Sequence, residues 1–84
     1  MQNDDIKALI AAGIAGANVT VNGADGTHFD AVIISDKFKG MTMVQQHQLV
    51  YRTLGQKMGT DIHALSIQTY TPEDWVYKKG LQVI

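Results

Sequence analysis

Three histidines, His28, His47 and His63, are the side chains of this chain best suited to metal or proton chemistry. No cysteine accompanies them, so the chain offers no thiolate nucleophile, no disulfide and no sulfur ligand of its own. His47 lies on an apolar helical stripe, with Val50 and Leu54 following at helical spacing. That favours a structural histidine, buried, whose ring nitrogens find partners. His28 follows a glycine-bordered turn in "ADGTHFD", where an ordinary accessible histidine is the simplest reading. His63 opens the apolar stretch "HALSI" and shares parity with Leu65 and Ile67. Alternation therefore leans its ring toward the covered side of a strand, at the rim. Spacing leaves open whether His63 caps the core or binds a ligand. No serine, histidine and acid constellation is evident. Gly13 and Gly16 lack the preceding strand and following lysine of a phosphate loop. The chain reads as a non-enzyme.

The elements that must position these groups are legible in outline. Asn3 can cap a helix whose first turn holds Asp4 and Asp5 and whose apolar face holds Ile6, Leu9, Ile10 and Ile14; Gly16 is a plausible stop. "NVTVNG" alternates, with Val19 and Val21 on one face. Gly23 to Gly26 is a turn, and "HFDAVIIS" is apolar enough for a central strand. "DKFKG" reads as a loop. Thr42 caps the next helix, along which Met43, His47, Val50, Leu54 and Met58 form one stripe ended by Gly59. A third strand spans Ala64 to Tyr70. Thr71-Pro72-Glu73-Asp74 then starts a short helix that Trp75 folds back onto the body.

The order α-β-β-α-β-α implies one α+β domain over residues 1–84, a three-stranded mixed sheet with helices packed mainly on one face. Strands one and two form a hairpin. Strands two and three pair in parallel through a crossover. A parallel pair starts at one end of the sheet, so His28 and His63 should share an edge, within reach of one metal centre.

Composition narrows the function further. The net charge is -1, which argues against a dedicated nucleic-acid binder. Charge is uneven, however: Lys37, Lys39, Arg52 and Lys57 occur between residues 37 and 57 with no acid among them. No apolar run approaches a membrane span and no signal-like start is present, so a cytoplasmic chain without membrane contact is expected.

"THFDAVIISDKFKGMTMVQQHQLVYRTL" followed by "IHALSIQTYTPEDW" closely resembles the BolA family, in particular its short IbaG (YrbA)-like branch. The similarity covers roughly Val19 to Trp75. It implies an α+β fold like a type II KH domain. It also implies a monothiol glutaredoxin of the CGFS type as heterodimer partner. A [2Fe–2S] cluster would be shared with the glutaredoxin cysteine and glutathione, and absent from the isolated chain, which alone would be a monomer or weak homodimer. The family's ligand histidine matches His63, and its second ligand position, between strands one and two, matches His28. The role implied is iron–sulfur trafficking, or regulation in iron, redox or acid stress. Imidazole in place of thiolate removes negative charge from the iron and makes the ligand protonatable.

The family is also described as DNA-binding transcriptional regulators of stress or envelope genes, acting through a helix-turn-helix-like region. Carried over, that alternative places contacts at Lys37, Lys39, Gln45, Gln48, Arg52 and Lys57. Here the helix reads "QQHQ" where relatives often have arginines. Gln45, Gln46 and Gln48 can hydrogen-bond bases but neutralise no phosphate, so weak DNA binding is expected.

Overall fold

A capping hydrogen bond at the start of each α-helix fixes where the helices of this fold begin. The structure, a computed structural model, describes residues 2–23, 26, 28–58, 62 and 64–82, the side chains of residues 81 and 82 excepted. The elements are α1 (Asn3–Gly13), β1 (Asn18–Asn22), β2 (His28–Ile34), a 3-10 turn (Asp36–Phe38), α2 (Met43–Leu54), a second 3-10 turn (Gly55–Lys57), β3 (Ala64–Tyr70) and α3 (Pro72–Gln82). The expected order and the single three-stranded mixed sheet are present. β1 pairs antiparallel with β2, and β2 pairs parallel with β3, so the order β1-β2-β3 leaves β1 and β3 as edges.

Alternation decides which face is covered. Val19, Phe29, Ala31, Ile33, Leu65 and Thr69 are buried on one face, together with Ile6, Ile10 and Ile14 from α1 and Val50 and Leu54 from α2. β2 is central but alternates rather than being apolar on both sides: its odd residues are buried, while Val32 and Ile34 on the other face are only half-covered. α3 leaves β3 through Thr71, whose Oγ1 accepts from Asp74 N at 3.2 Å, and Trp75 returns to pack against Tyr70, with ring centroids 5.3 Å apart and the planes tilted by 56°. None of the described helices is long and apolar enough to cross a membrane.

Several boundaries differ from the sequence reading, each for a local reason. Gln2, not Asn3, precedes α1, and its main-chain N–H donates to Asp5 Oδ2 at 2.8 Å. That frees Asn3 to join the helix and to donate through Nδ2 to the Gly23 carbonyl at 3.4 Å. α1 stops at Gly13, ahead of Gly16. "DKFKG" is not an open loop. Ser35 Oγ accepts from Lys37 N at 3.0 Å and winds a 3-10 turn that buries Phe38 at 1% exposure. α2 starts as expected with a reciprocal Thr42–Gln45 capping box. It ends at Leu54, because Gly55 takes φ 56°, a conformation open to glycine. Met58 therefore lies beyond α2, in an isolated bridge with Ile62. Gly59 lies outside the described residues.

The stripe on α2 is also rotated. Met43 is 58% exposed and is not core; Gln46 is buried in its place. Gln46 Nε2 donates to the carbonyls of Met41 (3.1 Å) and Phe38 (3.3 Å), and Gln46 Oε1 accepts from Thr69 Oγ1 at 2.6 Å. A buried amide with every group engaged is compatible with a core. Gln46 is thus withdrawn from the set that could contact bases.

Candidate functional site

The parallel register brings the starts of β2 and β3 to one edge of the sheet. His28, the first residue of β2, is the register partner of Ala64, the first residue of β3. His28 is exposed, whereas Phe29 beside it is buried at 3%. The imidazole therefore belongs to the uncovered face, mounted on a strand end whose next residue is anchored in the core. His63, which precedes Ala64 in the chain, lies outside the described residues. Among the described residues no group of three or more histidines, cysteines or acids is placed to hold a metal. The described part of this edge thus contributes one imidazole. Such a donor fits a centre completed by other donors, since one neutral nitrogen can occupy one position on iron.

His47 is not at that edge. It lines a groove of about 250 Å³ with Met43, Ile67, Gln68, Thr69 and Tyr70, toward the far end of β3. Ala64 and Gln68 are four residues apart on the strand, roughly 13 Å at 3.3 Å per residue. His47 is half-buried, as a structural histidine on the inner side of α2 would be. Its Nε2 is buried yet has no hydrogen-bond partner, contrary to the expectation that both ring nitrogens are satisfied. The polar side chains of this groove are engaged elsewhere: Thr69 Oγ1 donates to Gln46, and Gln68 Oε1 accepts from Tyr70 OH and Lys78.

The residues of the DNA-binding alternative do not form one cationic face. Gln45, Gln48 and Arg52, one helical turn apart on α2, share a groove of about 360 Å³ with Met41 and Leu49. Lys39 is turned away to Glu73 at 2.9 Å and Asp36 at 3.7 Å. The hydrogen bond and charge of Glu73 raise the Lys39 ammonium above its ordinary value, and the bond from Lys39 holds the Glu73 carboxyl below the usual carboxylate range. Lys57 lines a different groove, against Asp5, Ala8, Leu9 and Ala12 of α1. Lys37 is exposed in the 3-10 turn. Three of the six residues are brought together and three are dispersed. Lys78 had no place in the sequence reading. Its Nζ binds Tyr70 OH and Gln68 Oε1 and lies 4.9 Å over the Tyr70 ring. The proline-initiated helix start was the available signal, but the reach of a lysine back to β3 is set by tertiary packing.

Residues 12–74 match the family described as BolA-like protein. The chain belongs to the BolA family. It is 34% identical over 82 residues to the acid stress protein IbaG of Escherichia coli K12, covering 96% of each chain, which supports the IbaG-like branch. It is 39% identical over 56 residues to the E. coli DNA-binding transcriptional regulator BolA, covering 67% of this chain but only 50% of that one. Among solved structures, a BolA homologue from Coxiella burnetii superposes with a TM-score of 0.81 at 43% identity, over 90% of this chain and 97% of that one. The BolA fold accounts for the order of elements and for the mixed sheet.

Proposed function

We propose that this BolA-family chain is an adaptor that pairs with a monothiol (CGFS) glutaredoxin to carry a [2Fe–2S] cluster, in iron–sulfur trafficking or in iron, redox or acid-stress regulation. The observation that carries the reading is the register of His28 with Ala64, which sets an imidazole at the strand end beside the position that follows His63. Family membership, and similarity to an acid stress protein along almost the whole chain, support it. The cluster is cargo shared between two proteins, with thiolates from glutaredoxin and glutathione and imidazole from this chain. His28 would act as a neutral nitrogen donor, held by the β2 ladder and by the burial of Phe29. Because a donor nitrogen must be unprotonated, acid competes with binding. Mixing the chain with a monothiol glutaredoxin, iron, sulfide and glutathione tests the reading: the visible absorption and circular dichroism should differ from those of glutaredoxin alone. Spectra identical with and without the chain would refute it.

A second reading rests on the shared groove of Gln45, Gln48 and Arg52 and on the regulator named among the relatives. Under it the chain binds DNA through α2. With Lys39 paired to Glu73, few cations remain for phosphate, so binding would be weak and shallow in its salt dependence. A nanomolar, sequence-selective complex at physiological salt would reverse the order of the two readings.

A further inference from the structure

The groove toward the far end of β3 brings a thioether and an imidazole to one place. Met43 and His47 are four residues apart on α2, one helical turn, and both line it. Met43 Sδ lies 3.5 Å from Thr69 Oγ1, which lines the same groove. A hydroxyl has a single proton, and Thr69 spends it on Gln46 Oε1 at 2.6 Å, so the sulfur keeps its lone pairs. His47 Nε2 is buried and finds no hydrogen-bond partner among the described residues. A buried polar atom left unpaired costs stability, and its retention asks for a ligand. Among the described lining residues there is no carboxylate.

We propose that Met43 Sδ and His47 Nε2 form a binding site for a soft monovalent metal ion of the Cu(I) class. Three features select that ion. The spacing i, i+4 puts two ligands on one helix face, the separation by which paired histidines chelate zinc. The thioether is a soft donor, which suits Cu(I) and not the hard cations. Two neutral donors without carboxylate or thiolate complete neither the tetrahedral shell of zinc nor the oxygen shell of calcium or magnesium, whereas Cu(I) is stable with two or three ligands. Met43 also supplies the way in. It is 58% exposed, and its three rotatable bonds let the sulfur swing aside to admit an ion and close over it beside the nitrogen. The site is at the other end of β3 from the register partner of His28, so it stands apart from the proposed cluster ligands and does not depend on them.

The test uses the full chain, free of glutaredoxin and iron, titrated with silver nitrate in a buffer without chloride or thiol. Ag(I) is the redox-inert analogue of Cu(I). NMR should show the Met43 methyl and the His47 imidazole nitrogen shifting together, complete at one equivalent. Zinc at the same concentration should leave the Met43 methyl unmoved. Met43→Leu keeps the volume and removes the sulfur, and His47→Leu fills the same space without a nitrogen. Each should weaken Ag(I) binding roughly tenfold or more by calorimetry, as loss of one of two ligands requires. Unfolding curves of both variants confirm that they fold, and Met43→Leu, at an exposed position, keeps the test decisive should His47→Leu fail to. Silver that shifts His28, His63, Met41 or Met58 instead, with affinity unchanged in both variants, would mean an adventitious ion only and overturns the proposal. So does the absence of any shift, or an equal response of the Met43 methyl to zinc, which would remove the preference for a soft ion.

Discussion

The hydroxyl of Thr69 donates to Gln46 Oε1 at 2.6 Å inside the core, tying the centre of α2 to the end of β3. Since Gln46 also donates to the carbonyls of Phe38 and Met41, one amide holds the strand, the helix and the 3-10 turn together. Removing it takes the amide donor from the Phe38 and Met41 carbonyls and leaves the Thr69 hydroxyl only the weak thioether acceptor of Met43, at 3.5 Å. We expect Gln46→Leu to cost roughly 2–3 kcal/mol in urea denaturation. Gln46→Leu with Thr69→Val should cost less than the sum of the single changes, because the orphaned hydroxyl is then gone. Strict additivity would show that the bond contributes nothing.

His47 gives the opposite case. Its Nε2 is buried and unpartnered, so the ring brings packing but leaves a polar atom unsatisfied. His47→Ala should destabilise by about 1–3 kcal/mol through lost contacts, whereas His47→Leu should be neutral or stabilising by about 1 kcal/mol. Equal losses for both would mean that the imidazole is needed for a bond. Neither change should alter the cluster spectrum of the glutaredoxin complex.

Two glycines on helices should respond with opposite signs. A Cβ on Gly13 would come within 2.8 Å of Thr53 Cβ, where α1 meets α2, while a Cβ on Gly80 meets nothing within 4 Å. Gly13→Ala should therefore lower stability by about 1–3 kcal/mol through forced separation of the helices. Gly80→Ala should raise it by about 0.5–1 kcal/mol through helix propensity. Thermal or urea unfolding of the two variants decides this, and equal signs would contradict the packing.

The Lys39–Glu73 pair carries a pH signature. Glu73 is lowered by the bond from Lys39, so its contribution is present above the unfolded carboxylate's range and lost as pH falls through the folded value. Lys39 is raised, so its contribution is present below the unfolded ammonium's range and lost as pH rises through the folded value. Both side chains are more than half exposed, at 57% and 63%, and solvent screening keeps the effect on unfolding small. A side-chain NMR titration of Glu73 should show its midpoint move upward in Lys39→Ala. An unmoved midpoint would mean that the pair does not persist in solution.

Where alternation or a local cap determines structure, the sequence was sufficient. β3 begins at Ala64 and ends at Tyr70, Thr42 and Thr71 cap their helices, and Ile6, Ile10 and Ile14 are buried. Where tertiary contacts outweigh residue type, it was not. Gln46 is polar by type, yet three hydrogen bonds carry it into the core and turn Met43 outward. Phe38 sits among charged residues, and only the Ser35 cap explains its burial. For the site, topology implied that two strand starts share an edge, and the register of His28 with Ala64 agrees. The dispersal of Lys39 and Lys57 away from Arg52 could not be read from charge order, because Glu73 approaches Lys39 through the fold.

The proposed ligation by His63 and His28 is tested most directly by pulsed EPR on the reduced heterocomplex with glutaredoxin and glutathione. Wild type should show nitrogen coupling to the cluster. His63→Ala should remove most of it while the protein remains folded, and His28→Ala should weaken it. The same nitrogen signal in wild type and His63→Ala would contradict the assignment and return that histidine to a rim cap.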